Sequence, residues 1–140
     1  LINLEGAEIY GDSYLFLNRG IQNDLSSIMK VNSISLKIEQ FFKIDFGSVA
    51  GVPLHGSELC LFDEALYILA VAEASPNSYE DGAIFGSSLQ KVTLDTFQII
   101  GQWKFDRPVK LEGLCRWQNK WLVTTDPDGN GASEFFGFVL

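Results

Sequence analysis

Short apolar runs separated by clusters of turn formers make up most of this chain. The runs Tyr14-Leu15-Phe16-Leu17, Tyr67-Ile68-Leu69-Ala70-Val71 and Trp121-Leu122-Val123 are dominated by aromatic, β-branched and leucine side chains, which favour strands. Ile34, Leu36 and Ile38 alternate with polar residues, the pattern of a half-buried strand. Asp63-Glu64, Ser75-Pro76-Asn77-Ser78, Asp95-Thr96 and Gln118-Asn119 read as the intervening turns and loops. No stretch of a dozen residues carries the spacing of an amphipathic helix, and only residues 21–30 leave room for a helical turn.

The runs repeat. Glu5, Glu58 and Glu112 lie 53 and 54 residues apart, and nine residues after each an aromatic residue (Tyr14, Tyr67, Trp121) opens an apolar run. Within the second unit the pattern predicts strands over 58–62, 66–72, within 83–94 and over 97–105. The first unit predicts 7–10, 14–18, 27–32 and a last strand within 34–46; the third predicts 114–117, 121–125 and 134–140. Four short strands in a unit of about fifty residues mark a β-propeller blade. The expected fold is all-β, a propeller fragment of about two and three-quarter blades, with units near 1–53, 54–107 and 108–140. A self-contained β-sandwich is the alternative. An open stack of blades leaves apolar faces and strand edges uncovered, so the rest of the ring is expected from a longer chain or from other copies. Leu1, with no Met and no leader before it, reads as a cut end.

Charge narrows the partners. With 18 Asp and Glu against 10 Lys and Arg, the formal charge is −8, which disfavours nucleic acid and anionic membrane. The longest apolar run, 65–72, is too short to span a bilayer, so a soluble protein is expected, with bacterial cytoplasm and periplasm both open. Cys60 and Cys115 are too few for a disulfide framework and read as buried free thiols.

Three sets of residues could carry chemistry. Glu5, Glu58 and Glu112 open the first strand of each unit, where propeller carboxylates converge on a central channel. Clustered carboxylates bind a cation or raise one another's pKa; backbone ties are the structural alternative. At the end of each second strand come Asn18-Arg19, Glu73 and Asp126, with Arg19 suited to a carboxylate or an anionic substrate. Asp126-Pro127-Asp128-Gly129-Asn130-Gly131-Ala132-Ser133-Glu134 offers oxygens at its first, third, fifth and ninth positions, as a Ca²⁺ loop does. Gly137 replaces the twelfth-position Glu of an EF-hand, and the pattern more closely resembles the calcium-binding hairpin loops of integrin-type propellers. The alternative is an ordinary hairpin connection. Tyr79-Glu80-Asp81-Gly82 reads as a rim turn, and His55, the single histidine, as a structural hydrogen-bonder or a base near Glu58. The chain has no GxSxG elbow, P-loop, dinucleotide fingerprint or zinc spacing.

Leu-Glu-Gly at 4–6, Asn18-Arg19-Gly20 with Asn23, Tyr-Glu-Asp-Gly at 79–82 with Gly86-Ser87, Lys110-Leu111-Glu112-Gly113 and Thr125-Asp126 together resemble an uncharacterised bacterial β-propeller family. It is similar in style to phytase-like and gluconolactonase-like propellers. That resemblance implies a divalent cation held at the channel mouth and hydrolysis of phosphate esters or lactones. It points to Glu5, Glu112 and Asp126. The second unit departs from the Glu-Gly pair, and no Lys-rich phosphate surface is present. The expected function is a Ca²⁺-dependent hydrolase with Glu5, Glu112 and Arg19 in catalysis and Glu58, Asp126, Asp128, Asn130 and Glu134 at metal. The competing expectation is a non-catalytic propeller that binds a small ligand or a protein through aromatics such as Trp103 and Trp117.

Overall fold

The structure is a computed structural model describing residues 2–20, 23–75, 82–128 and 131–140. Every assigned element among them is a strand. Strands β1 (Leu4–Tyr10), β2 (Ser13–Asn18), β3 (Ser26–Asn32) and β4 (Ile38–Ile44) form the first sheet, in that order. The second contains β5 (Ser48–Val49), β6 (Val52–Phe62), β7 (Ala65–Ala74), β8 (Ala83–Thr93) and β9 (Ile99–Lys104). The third contains β10 (Leu111–Trp117), β11 (Lys120–Thr125) and β12 (Phe135–Phe138). Each is an antiparallel meander. Residues 26–30, where a helical turn had room, lie in β3.

Each sheet has one hairpin, of a first and a second strand, built alike: β1–β2, β6–β7 and β10–β11. Tyr10 pairs with Ser13, Phe62 with Ala65 and Trp117 with Lys120, leaving two-residue turns. The first turn residue has positive φ each time: Gly11 at 57°, Asp63 at 49° and Gln118 at 54°. That geometry matches the twist of paired strands. A bulge then interrupts each hairpin at the same distance from its turn, at Glu5, Ser57 and Glu112.

The second sheet is the middle layer. Along β7, Leu66, Ile68, Ala70 and Ala72 pack with Leu15, Leu17 and Ile28 of the first sheet. The alternate residues Ala65, Tyr67 and Leu69 pack with Leu111, Trp121 and Val123 at the third. Strand β7 is therefore buried on both faces, which explains its unbroken apolar sequence. The first strands lie side by side, β1 against β6 and β6 against β10. Gly6 permits the first approach, because a Cβ there would collide with Glu58 Oε1 and lie 3.0 Å from Leu59 N. The Arg116 guanidinium, over Phe62 and Trp121 at 5.0 and 5.3 Å, bridges the second and third sheets.

Two expectations change. Ile34 and Leu36 lie in a turn rather than a strand, and Ile34 is 88% exposed. The Asn32 side-chain oxygen accepts from the Ile34 and Ser35 N–H groups at 3.1 and 2.9 Å, and this local capping displaces ladder pairing. Cys60 is buried but Cys115 is exposed, because it pairs with Leu122 on the face of the third sheet turned away from the core.

The layering sets a contrast in stability. Ile68→Ala, in the centre of the middle sheet, is expected to cost about 2–5 kcal/mol in urea unfolding. Ile34→Ala, equally apolar but exposed in the turn, is expected to change stability by less than about 0.5 kcal/mol. Similar losses at both positions would contradict this layering.

Candidate functional site

First strands begin, and second strands finish, at one common end of the three sheets. The backbone pairing that extends each outer hairpin there is identical: Arg19 N–H donates to Asn3 O, and Asp126 N–H donates to Lys110 O. Arg19 thereby follows the end of β2 in the first sheet, and Lys110 precedes β10 in the third. Glu73 reaches them from β7 of the middle sheet.

These side chains form one partly buried ion cluster. Arg19 Nη2 lies 2.6 Å from Glu73 Oε2, and Arg19 Nη1 lies 3.8 Å from Glu5 Oε1. Lys110 Nζ lies 2.6 Å from Asp128 Oδ1, 3.7 Å from Glu112 Oε1 and 4.0 Å from Glu73 Oε2. Glu73, with its side chain only 5% exposed, is the hub. Its second oxygen accepts the Gly82 N–H at 2.8 Å. Asn3 Nδ2 donates to Glu5 Oε1 at 2.7 Å.

Burial controls the titration of the cluster. It pushes the Glu112 carboxyl from the ordinary 4.5 up to about 7, against the lowering pull of Arg19 and Lys110 and with added repulsion from Glu5 and Asp126. Burial also raises Glu5, opposed by Arg19, Lys110 and the Asn3 hydrogen bond. For Lys110, burial acts to lower the pKa, but the Asp128 hydrogen bond and the charges of Glu73, Glu112 and Asp128 outweigh it, so its ammonium is held above the ordinary value. A carboxyl poised near neutrality beside two cations can exchange a proton and hold negative charge.

Glu5, Arg19 and Glu112 thus come together, joined by Glu73, Lys110 and Asp128. Glu58 stands elsewhere in the register. Ser57, not Glu58, occupies the bulge shared with Glu5 and Glu112, and its Oγ donates to Leu111 O at 2.6 Å. Glu58 instead takes the place corresponding to Gly6 and Gly113. Its carboxyl is raised by burial, against the lowering effect of its Leu59 N–H hydrogen bond, with Glu8 and Glu5 repelling it. The acidic loop is spread out. Asp126 Oδ1 accepts the Asp128 N–H, Asp128 faces Lys110, and Glu134 pairs with Arg107 at 3.4 Å on the exposed side. Asn130 lies outside the described residues, as do Tyr79, Glu80 and Asp81. Among the described residues no three His, Cys, Asp or Glu side chains are grouped to hold a metal. Within the loop's described residues, Asp128 thus pairs with Lys110 and Glu134 with Arg107.

His55 lines a separate cleft of about 280 Å³ with Asp24, Leu25, Asp45 and Pro53. Among the described residues no helix is long and apolar enough to cross a membrane. Lys110 is the cluster member that residue-type reasoning passed over. The available signal was positional, since it precedes Glu112 by two residues as Asn3 precedes Glu5.

A family model described as a family of unknown function (DUF6929) matches residues 1–140. The chain belongs to this family. Membership in DUF6929 brings no activity, substrate or source organism and names no propeller. No curated protein matches the chain.

The raised Glu112 carboxyl has a signed consequence for this DUF6929 member. Between pH 4.5 and about 7 the unfolded chain has released that proton while the folded chain retains it. Stability is thus lost as pH rises through this window and is fully present below it. Glu112→Gln removes the charge and keeps the shape. It is expected to exceed the parent in urea stability at pH 8, with the advantage vanishing by pH 4. An equal difference at both pH values would remove the titration from the explanation.

Proposed function

We propose that the three meander sheets are consecutive blades of a β-propeller and that the ion cluster at their inner-strand ends is a hydrolytic site for a phosphoester or lactone. Three features support the blade reading: successive antiparallel meander sheets with a repeated opening hairpin, adjacent first strands, and face-to-face stacking of successive sheets. The observation that carries the chemistry is Glu112, its carboxyl raised to about 7 beside Arg19 and Lys110. In its ionised form Glu112 takes a proton from water as the water oxygen attacks the carbonyl carbon or phosphorus. It then returns that proton to the leaving oxygen as the scissile bond breaks. Arg19 and Lys110 hold the negative charge that develops on the substrate oxygens. Glu5 and Glu73 fix the two cations.

The charge pairing also favours a second reading. Arg19–Glu73 and Lys110–Asp128 contacts of 2.6 Å each supply the site with its own counter-charges, as in a binding module that exchanges them for a ligand's. Calcium enters either reading only through loop residues now engaged elsewhere, Asp128 above all.

Phosphomonoester, phosphodiester and lactone substrates, each with and without Ca²⁺, separate these readings. Turnover that rises through pH 7 and falls at least about a hundredfold in Glu112→Gln is expected. Saturable binding without turnover, unaffected by that substitution, would favour the binding module.

A further inference from the structure

Three buried serines close on the backbone around the two cations of the cluster. Ser26, Ser57 and Ser87 are each 1% exposed. Ser26 stands one residue before Ser27, the partner of Asn18, and Ser87 stands one before Ser88, the partner of Ala70. Asn18 and Ala70 follow the shared two-residue turns at the same distance, so these two serines are equivalent. Ser26 Oγ donates to Arg19 O at 2.5 Å and accepts the Gly56 N–H of β6 at 2.9 Å. Ser87 Oγ donates to Val109 O at 2.5 Å, and Ser57 Oγ donates to Leu111 O at 2.6 Å.

Lys110 therefore sits between two carbonyls that both accept from the middle sheet. Its own carbonyl accepts the Asp126 N–H at 3.0 Å, so three successive carbonyls are engaged. A serine hydroxyl within a strand commonly satisfies itself on nearby backbone. Ser57 and Ser87 reach instead to residues 54 and 22 positions away in sequence. The lysine ammonium rides on a flexible four-carbon stem. Its 2.6 Å contact with Asp128 and 3.7 Å approach to Glu112 are reproducible only while the backbone that carries the stem is fixed.

We propose that Ser57 and Ser87 are positioning residues for Lys110, with Ser26 serving Arg19 in the same way, so that the middle sheet sets the spacing of both cations. Glu73, the carboxylate between those cations, belongs to the same sheet. The hydroxyl anchors and the hub of the cluster thus share one frame. A cation misplaced by about 1 Å loses much of its hold on developing charge, a cost of order a hundredfold in rate at well-ordered sites. The consequence for turnover rests on the hydrolytic reading of the cluster, whereas the placement of Lys110 is measurable without a substrate.

The test follows the Lys110 ammonium by its nitrogen–proton NMR correlation, assigned by its loss in Lys110→Arg, in Ser57→Ala and Ser87→Ala. Val92→Ala, buried towards the far end of β8, removes packing but neither hydroxyl. Both serine variants are expected to shift the correlation and to speed proton exchange at the ammonium at least about threefold. Val92→Ala is expected to leave it unchanged, and Ser57→Thr and Ser87→Thr, which keep the hydroxyl, to restore it. Ser57→Cys and Ser87→Cys keep the volume without the strong donor and replace any alanine variant that does not fold. With phosphoester or lactone as substrate, the alanine variants are expected to lower kcat at least about tenfold at unchanged KM. A Lys110 signal unmoved in both serine variants, or moved equally by Val92→Ala, overturns the proposal. Unchanged kcat beside a moved signal overturns the role in turnover. A moved and rescued signal in a protein without turnover upholds the placement and removes the hydrolytic reading instead.

Discussion

Burial of β7 on both faces is the constraint on which the remainder of the structure depends. Its side chains alternate between the Leu15–Leu17 face of the first sheet and the Trp121–Val123 face of the third. Neither outer sheet has an apolar core without that strand. A strand buried on both sides has no polar face, so its side-chain pattern does not define its own register. Register is set by other means. The positive-φ turn at Asp63 and Glu64 fixes one end of the β6–β7 hairpin, and Ser57 tied to Leu111 O fixes β6 against β10. Local turn chemistry and one buried hydroxyl hold in place what hydrophobic burial alone leaves free to slide.

The ion cluster follows from the same layering. Bringing β1, β6 and β10 side by side forces the polar residues at their starts into a space with little water. A charge placed there requires an opposite charge or a proton. Glu73 illustrates the first solution, bonded to Arg19 and to the Gly82 N–H. Glu112 illustrates the second, its proton held to about pH 7. The two solutions are coupled, because Lys110 is shared among Glu73, Glu112 and Asp128. Moving any one carboxylate changes what the lysine offers the other two.

Most strands are legible in the sequence because their turns are. Gly11-Asp12, Asp63-Glu64 and Gln118-Asn119 end strands where Gly, Asp and Asn chemistry places them. The stretch after Asn32 was misleading because alternation at Ile34, Leu36 and Ile38 imitates a strand, while the Asn32 side chain captures the backbone. The repeat was legible to within one residue. Glu58 aligns with Glu5 and Glu112 by spacing and type, yet the hairpin register puts Ser57 at their bulge. With β7 apolar at every position, nothing in its own sequence distinguishes Tyr67 from Leu66 as the partner of Tyr14. Four of the six cluster residues, Glu5, Arg19, Glu73 and Glu112, could be read from residue type. Lys110 and the Asp128 contact could not, because an apparent oxygen-rich loop does not reveal that a lysine just before β10 already pairs with one of its oxygens.

Charge counting limits the ligands that such a cluster can take. Four carboxylates, on Glu5, Glu73, Glu112 and Asp128, surround two cations, Arg19 and Lys110. An anion entering this array adds to an existing excess of negative charge unless a proton enters with it. Glu112 is the group poised to accept that proton near neutrality. On the proposed reading, capture of an anion would draw a proton to Glu112. A neutral lactone avoids the penalty on binding and meets it only as its carbonyl oxygen becomes negative. The cations are then most needed where charge develops, which is the condition under which preorganised charge accelerates a reaction rather than merely tightening binding.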